Sequence, residues 1–223
     1  MAWYVFALVD AIPAGRAGKG LSGTLSIQKL AGGFLVVERR ADVPPVEFGS
    51  LKMHQDVVAR LAKQVPAILP VRFGTLLDTA QLEEALQERD EEIQDAFGLV
   101  RGRVQFTWRI KGRSGIGDPG SGVGAKAERD LPKTGAEYLR RAAKAANPAP
   151  PAAYRPLRTR LSPLVAGQRY QPATPAIPEA VYHLVDRKQA HRYAAAAAVL
   201  KKTSPLLAVS GPFPPFAFAP EIL

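Results

Sequence analysis

Residues 103–111 alternate with a period of two. Val104, Phe106, Trp108 and Ile110 fall on one side, and Arg103, Gln105, Thr107, Arg109 and Lys111 on the other. That spacing predicts a strand with one buried and one wet face. Residues 2–9 and 33–38 are short apolar runs rich in aromatic and β-branched residues and predict buried strands. Between them, 12–24 is Gly-rich and reads as a loop. Residues 52–65 repeat at helical spacing, with Met53, Val57, Val58, Leu61 and Val65 on one face and Pro66 behind them as a stop. LPVRFGT, 69–75, reads as the next strand. Asp78 and Gln81 have capping-box spacing ahead of a helix whose stripe is Leu82, Leu86, Arg89 at the edge, Ile93 and Phe97, with Gly98 as its end and an acidic outer face.

Past residue 111 the pattern changes. Residues 112–130 are Gly- and Ser-rich and predict a mobile loop. Thr134 and Glu137 have capping-box spacing before YLRRAAKAA. Residues 147–178 are proline-rich and predict irregular chain, with YRPLRTRL as a possible edge strand. AVYHLVD, 180–186, predicts a strand, Asp186 a cap for the Ala-rich helix after it, and LLAVSG a last strand. Counting YRPLRTRL as an edge strand, the order β, α, β, β, α, β is that of a ferredoxin-like module. The expected fold is therefore α+β in two domains: an N-terminal α+β domain, 1–101, and a C-terminal modified ferredoxin-like domain, 102–223, with an extended Pro/Phe-rich tail.

Charge supports the same division. The chain of 223 residues carries a net +10, but residues 1–102 sum to −2 and residues 103–223 to +12. Proline shifts with it, 5 before residue 103 and 15 after. The basic half calls for an acidic partner. The absence of cysteine excludes disulfide, thiolate-zinc and iron–sulfur chemistry and agrees with a reducing cytosol. MAWYVFALVD lacks the basic start of a signal peptide, and no run is long enough for a membrane helix. A cytoplasmic location with no membrane partner is expected.

Motifs for catalysis are missing. AGKGLS, 17–22, and GIGDPGSGVGAK, 115–126, each lack the Gly-Lys-Ser/Thr of a phosphate loop. His54, His183 and His191 have no metal-site spacing. Adjacent carboxylates such as Glu83 and Glu84 point apart on a helix. No cofactor and no metal is expected. Arg72 stands out because a guanidinium is costly to bury in an apolar strand. With Phe73 and Gly74 beside it, it reads either as a structural clamp between elements or as a partner contact. Arg109 sits on the wet face of its strand. Phe213, Phe216 and Phe218 form an apolar strip on a backbone stiffened by Pro212, Pro214 and Pro215. That strip either folds back onto the protein or docks a partner.

Six stretches in order resemble the gas vesicle protein F/L family: YVFALVD at 4–10, LPVRFGT at 69–75 after the helix with His54, GRVQFTWRIK at 102–111, TGAEYLRR at 134–141, AVYHLVDR at 180–187 and SGPFPPFAF at 210–218. Gln55 replaces the family's usual Glu, and Phe213 and Phe216 stand for its Trp and Tyr. The resemblance implies two α+β domains and a non-enzymatic accessory or minor structural role in gas vesicle assembly. The implied partners are the hydrophobic shell protein and other accessory proteins. The alternative is an RRM-type RNA-binding module, since a ferredoxin-like sheet with a basic face suits RNA. It is opposed by the expected burial of Phe106 and Trp108, so no specific nucleic-acid partner is expected.

Overall fold

The computed structural model describes residues 2–15, 18–30, 32–82, 89–111, 150–174 and 177–220. The expected loop at 112–130 and the helix start at Thr134 lie outside the described residues, as do Glu83, Glu84 and Leu86. Contacts within the chain group it into two units. One comprises Met1–Gln105, Leu184–Ala190 and Pro212–Leu223, the other Phe106–His183 and His191–Gly211.

The first unit is built around strand β1 (Ala2–Val9), whose sequence AWYVFALV holds no charged residue. Burial of six of its eight residues explains the continuous apolar run. β1 pairs antiparallel with β3 (Gly33–Arg40), which pairs with β2 (Ser26–Leu30). On its other edge β1 pairs first with β4 (Ile68–Pro70) and then with β5 (Leu76–Leu77). The sheet order is β2-β3-β1-β4, with β5 also on β1. A register shift between Val5 and Ala7 puts a bulge at Phe6. Helix α1 (Phe48–Ala62) buries Ser50, His54, Val57, Val58 and Leu61, the last three in one core cluster with Tyr4, Phe6, Val36 and Ile68. Helix α2 (Asp90–Val100) buries Ile93, Ala96, Phe97 and Val100.

The second sheet holds β6 (Arg103–Ile110), β7 (Gly167–Gln171), β8 (Ala180–Asp186) and β9 (Leu207–Phe213) in the order β7-β8-β6-β9. Arg187 N–H bonds Gly102 O, setting the end of β8 beside the start of β6, so the two run antiparallel. Lys111 N–H bonds Leu206 O and sets β9 antiparallel on the other edge. Helices α3 (Arg155–Leu161) and α4 (Ala190–Thr203) accompany the sheet. The molecule is thus a mixed α/β fold with two antiparallel sheets. No helix among the described residues is long and apolar enough to cross a membrane.

Several expectations are corrected. LPVRFGT is not one strand: β4 ends at Pro70, and a turn separates it from β5. In α1 Val57, Val58 and Leu61 are buried as expected, but Met53 is 42% exposed and its neighbour His54 takes the place on the buried face. Gly98 lies inside α2 and does not end it. YRPLRTRL is helical, Tyr154 ending a 3-10 turn and RPLRTRL forming α3 with Pro156 in the first turn, where its missing N–H costs nothing. The extra strand is β7 instead, over GQRYQ. In β6, Gln105 and Thr107 are buried on the face expected to be wet. Gln105 is covered there because its Oε1 accepts from Ala217 N–H at 2.8 Å. The tail is not one extended strip: β9 runs on to Phe213, and a single 3-10 turn spans Phe216–Phe218.

Candidate functional site

The interruption of β4 and β5 is a four-residue turn, Arg72–Thr75. Thr75 N–H and its Oγ1 both bond Arg72 O, at 3.4 and 3.0 Å. Gly74 has φ +93°, which a type II turn requires at its third position and which a Cβ would strain. A buried chain of hydrogen bonds holds this turn. His54 Nε2 lies 3.1 Å from Val71 O, a pure acceptor, so Nε2 carries the proton. Nδ1 must then accept, and it does so from Tyr4 O–H at 2.9 Å. The Tyr4 oxygen in turn accepts from Gly74 N–H at 3.2 Å. Phe6 stacks on His54 with ring centres 5.3 Å apart, and Phe73 meets both Tyr4 and His54 edge-on. Burial pushes the His54 imidazole down to about 4, partly offset by its bond to Val71. Burial also raises the Tyr4 phenol, against the Gly74 hydrogen bond. The histidine is held neutral in a single tautomer.

The second unit repeats the arrangement with different parts. Trp108 Nε1–H, which can only donate, bonds Tyr193 Oη at 2.7 Å. Tyr193 O–H bonds His183 Nδ1 at 2.7 Å, and His183 Nε2–H bonds Gln168 Oε1 at 3.1 Å. Burial lowers His183 to about 4 and raises the Tyr193 phenol. Phe106 packs on Tyr193 at 4.4 Å. In both units the protons run N–H to tyrosine, tyrosine to histidine and histidine to carbonyl oxygen. This arrangement fixes positions. It provides no exposed base and no nucleophile.

The Gly-rich loop at 18–25 has an anion of its own. Leu21, Ser22 and Gly23 N–H and Ser22 Oγ–H donate to the Glu38 carboxylate at 2.6, 3.0, 2.7 and 2.9 Å. Burial alone would raise Glu38. The Ser22 hydroxyl and the three amides outweigh it and hold the carboxyl below its ordinary range. A Cβ on Gly20 would fall 2.0 Å from Glu38 Oε2, which explains the glycine. Arg40 Nη1 closes the cluster on Ser22 Oγ at 2.7 Å.

The residues singled out from the sequence divide as follows. Arg72 is exposed in the turn and not buried in a strand, while Phe73 and Gly74 are half-buried there. Arg109 is exposed on β6. Phe213 is 43% exposed and Phe216 36%, but Phe218 is buried, its turn packed against β4. Arg72, Phe73 and Gly74 therefore lie together in one turn, whereas Phe218 is buried and Phe213 and Phe216 are exposed. Tyr4, Glu38 and Tyr193 were not found by sequence reasoning, because each acts through a partner distant in the chain. Val46 and Phe48, both 82% exposed, were also missed. The Pro-Pro pair before them, which carries the chain into α1, was the available signal. No group of three or more metal-ligating side chains occurs among the described residues.

Residues 2–220 match the family model described as gas vesicle synthesis protein GvpL/GvpF. No curated protein sequence gives a match. The fold resembles the crystal structure of the gas vesicle protein GvpF from Microcystis aeruginosa, at 15% identity and TM-score 0.68, over 98% of this chain and 99% of that one. It also resembles GvpF from Anabaena sp. PCC7120, at 16% identity and TM-score 0.68, over 98% and 96%.

Proposed function

Because the chain belongs to the GvpL/GvpF family of gas vesicle synthesis proteins, we propose that it works in gas vesicle assembly as a non-enzymatic accessory or minor structural protein, binding the apolar shell protein and other accessory proteins. The match across residues 2–220 carries this reading. The geometry supports it: the buried histidines are engaged on both ring nitrogens, and apolar side chains stand exposed at Val46, Phe48, Phe213 and Phe216. A protein that polymerises through apolar surfaces needs such a binder before it joins a wall. We assign the contact to Phe48, Phe213 and Phe216, with Arg72, Phe73 and Arg109 as further candidates. On this reading the protein acts at the gas vesicle within the cytoplasm. The β7-β8-β6-β9 order supports reading the C-terminal part as a modified ferredoxin-like domain. A domain boundary near residue 102 is part of the proposal, and limited proteolysis checks it.

RNA binding is the weaker reading. Phe106 and Trp108 are 2% and 0% exposed, so neither offers a face for base stacking. The test is complementation in cells that make gas vesicles. Deleting the gene should abolish vesicles, and the wild-type chain should restore them and co-purify with the shell protein after nuclease treatment. Recovery of vesicles without the chain, or capture lost on nuclease treatment, would reject the reading.

A further inference from the structure

The second unit carries a surface pocket of about 210 Å³ whose place in the sequence suggests no function. Leu157 and His183, each 1% exposed, form its floor. Arg158, Ala166 and Gln168 stand exposed around it, with Val165 at the side. Both His183 ring nitrogens are engaged, by Tyr193 and by Gln168, so the floor is apolar in effect. Small-molecule sites run about 300–1,000 Å³, so this volume suits one large apolar side chain better than a free cofactor.

Charge and topology specify what would carry that side chain. From Pro150 to Pro178 the sequence holds Arg155, Arg158, Arg160 and Arg169 and no acidic residue. All four arginines are exposed. The next carboxylate, Glu179, is buried and accepts from Tyr170 Oη at 3.2 Å. Gln168 lies on β7, which ends the sheet order, and an end strand can take an added extended segment. We infer that this pocket docks an acidic segment of a partner protein. One apolar side chain of that segment sits over Leu157 and His183, and its flanking carboxylates meet the arginines. Nucleic acid is the other polyanion, but among the described residues the His183 imidazole is the only aromatic ring lining the pocket for a base to stack on. The inference goes beyond the vesicle reading and does not use Phe48, Phe213 or Phe216.

The test is fluorescence polarisation of the full-length chain with a labelled peptide of alternating Glu and Leu. Saturable binding is expected, with a Lys/Leu peptide of the same length failing to bind. Arg158→Glu, which inverts the rim charge, and Ala166→Trp, which fills the mouth, should each weaken binding by about ten-fold or more, on the order of one charge-assisted contact. Both positions are exposed, and circular dichroism confirms that each variant is folded. No saturable binding, equal binding by wild type and both variants, or displacement of the peptide by an equimolar oligothymidylate would each overturn the proposal. Vesicle formation is not part of the readout, so a failure here leaves the assembly reading standing.

Discussion

Acidification from pH 7 to pH 5 should destabilise this protein through its two buried histidines. His54 and His183 are held near 4 in the folded chain against an ordinary 6.5. Unfolding releases them to 6.5, so below that pH the unfolded chain binds two protons that the folded one refuses. The sign follows: their stabilising effect is complete above 6.5 and is lost as pH falls from 6.5 towards 4. At pH 5 the unfolded value lies one and a half units above the solution, and at about 1.4 kcal/mol per unit each histidine costs about 2 kcal/mol. The pair then costs about 4 kcal/mol, a large share of a typical domain's 5–15 kcal/mol. Glu38 adds little in this window, because its contribution is lost only as pH falls past the ordinary carboxylate value of 4.5, below the end of the series. The geometry adds a reason for resistance. A proton on His54 Nδ1 would reverse its bond with Tyr4, leaving the Tyr4 oxygen facing two donors. Urea denaturation at pH 7, 6 and 5 measures the loss. The same series on His54→Gln with His183→Gln isolates its source, since only the slope with pH matters and not the starting stability. A wild-type stability flat from pH 7 to 5, or a slope unchanged in the double variant, would refute the reasoning.

Three further outcomes are expected. Tyr4→Phe strands the buried His54 Nδ1 and the half-buried Gly74 N–H and should cost about 1–3 kcal/mol in urea denaturation; a loss below about 0.5 kcal/mol would show that the hydroxyl does not hold the turn. Gly20→Ala places a Cβ 2.0 Å from Glu38 Oε2 and should lower stability by about 1–3 kcal/mol, with most of that loss absent when Glu38→Gln has already broken the cluster. Phe218→Ala should cost about 3–5 kcal/mol as a core truncation, whereas Phe213→Ser with Phe216→Ser should leave the melting temperature within a few degrees and reduce shell-protein capture; the reverse pattern would mean that the tail roles are exchanged.

The sequence was most legible where the pattern is local. β8 lies over Ala180–Asp186 as the AVYHLVD run predicts, and Asp186 Oδ1 caps the following turn through Lys188 N–H. The Asp78–Gln81 box forms in both directions, at 2.9 and 3.1 Å. What was not legible depends on contacts far apart in the chain. The Arg72 turn looks like a strand because its apolar residues are real, but the bulge at Phe6 and the Tyr4–His54 pair redirect them. Gln105 obeys the alternation of a wet face, yet it is covered by Ala217, which arrives a hundred residues later. The glycines at 18–23 have the composition of a phosphate loop, and nothing local says that their anion is Glu38.

The position of β1 has a consequence for synthesis. Its eight residues carry no charge and are rich in aromatic and branched side chains, the composition of a segment prone to cross-β pairing. One edge is covered once β3 is made, but the other waits for Pro70 and Leu77, some sixty to seventy residues behind their partners. At about 5–20 residues per second that is several seconds on the ribosome with an open apolar edge. A ribosome stalled before Leu77 would therefore hold a nascent chain that is a seed for aggregation. Slow codons between the α1 and β5 coding regions should lower soluble yield more than slow codons placed after β5.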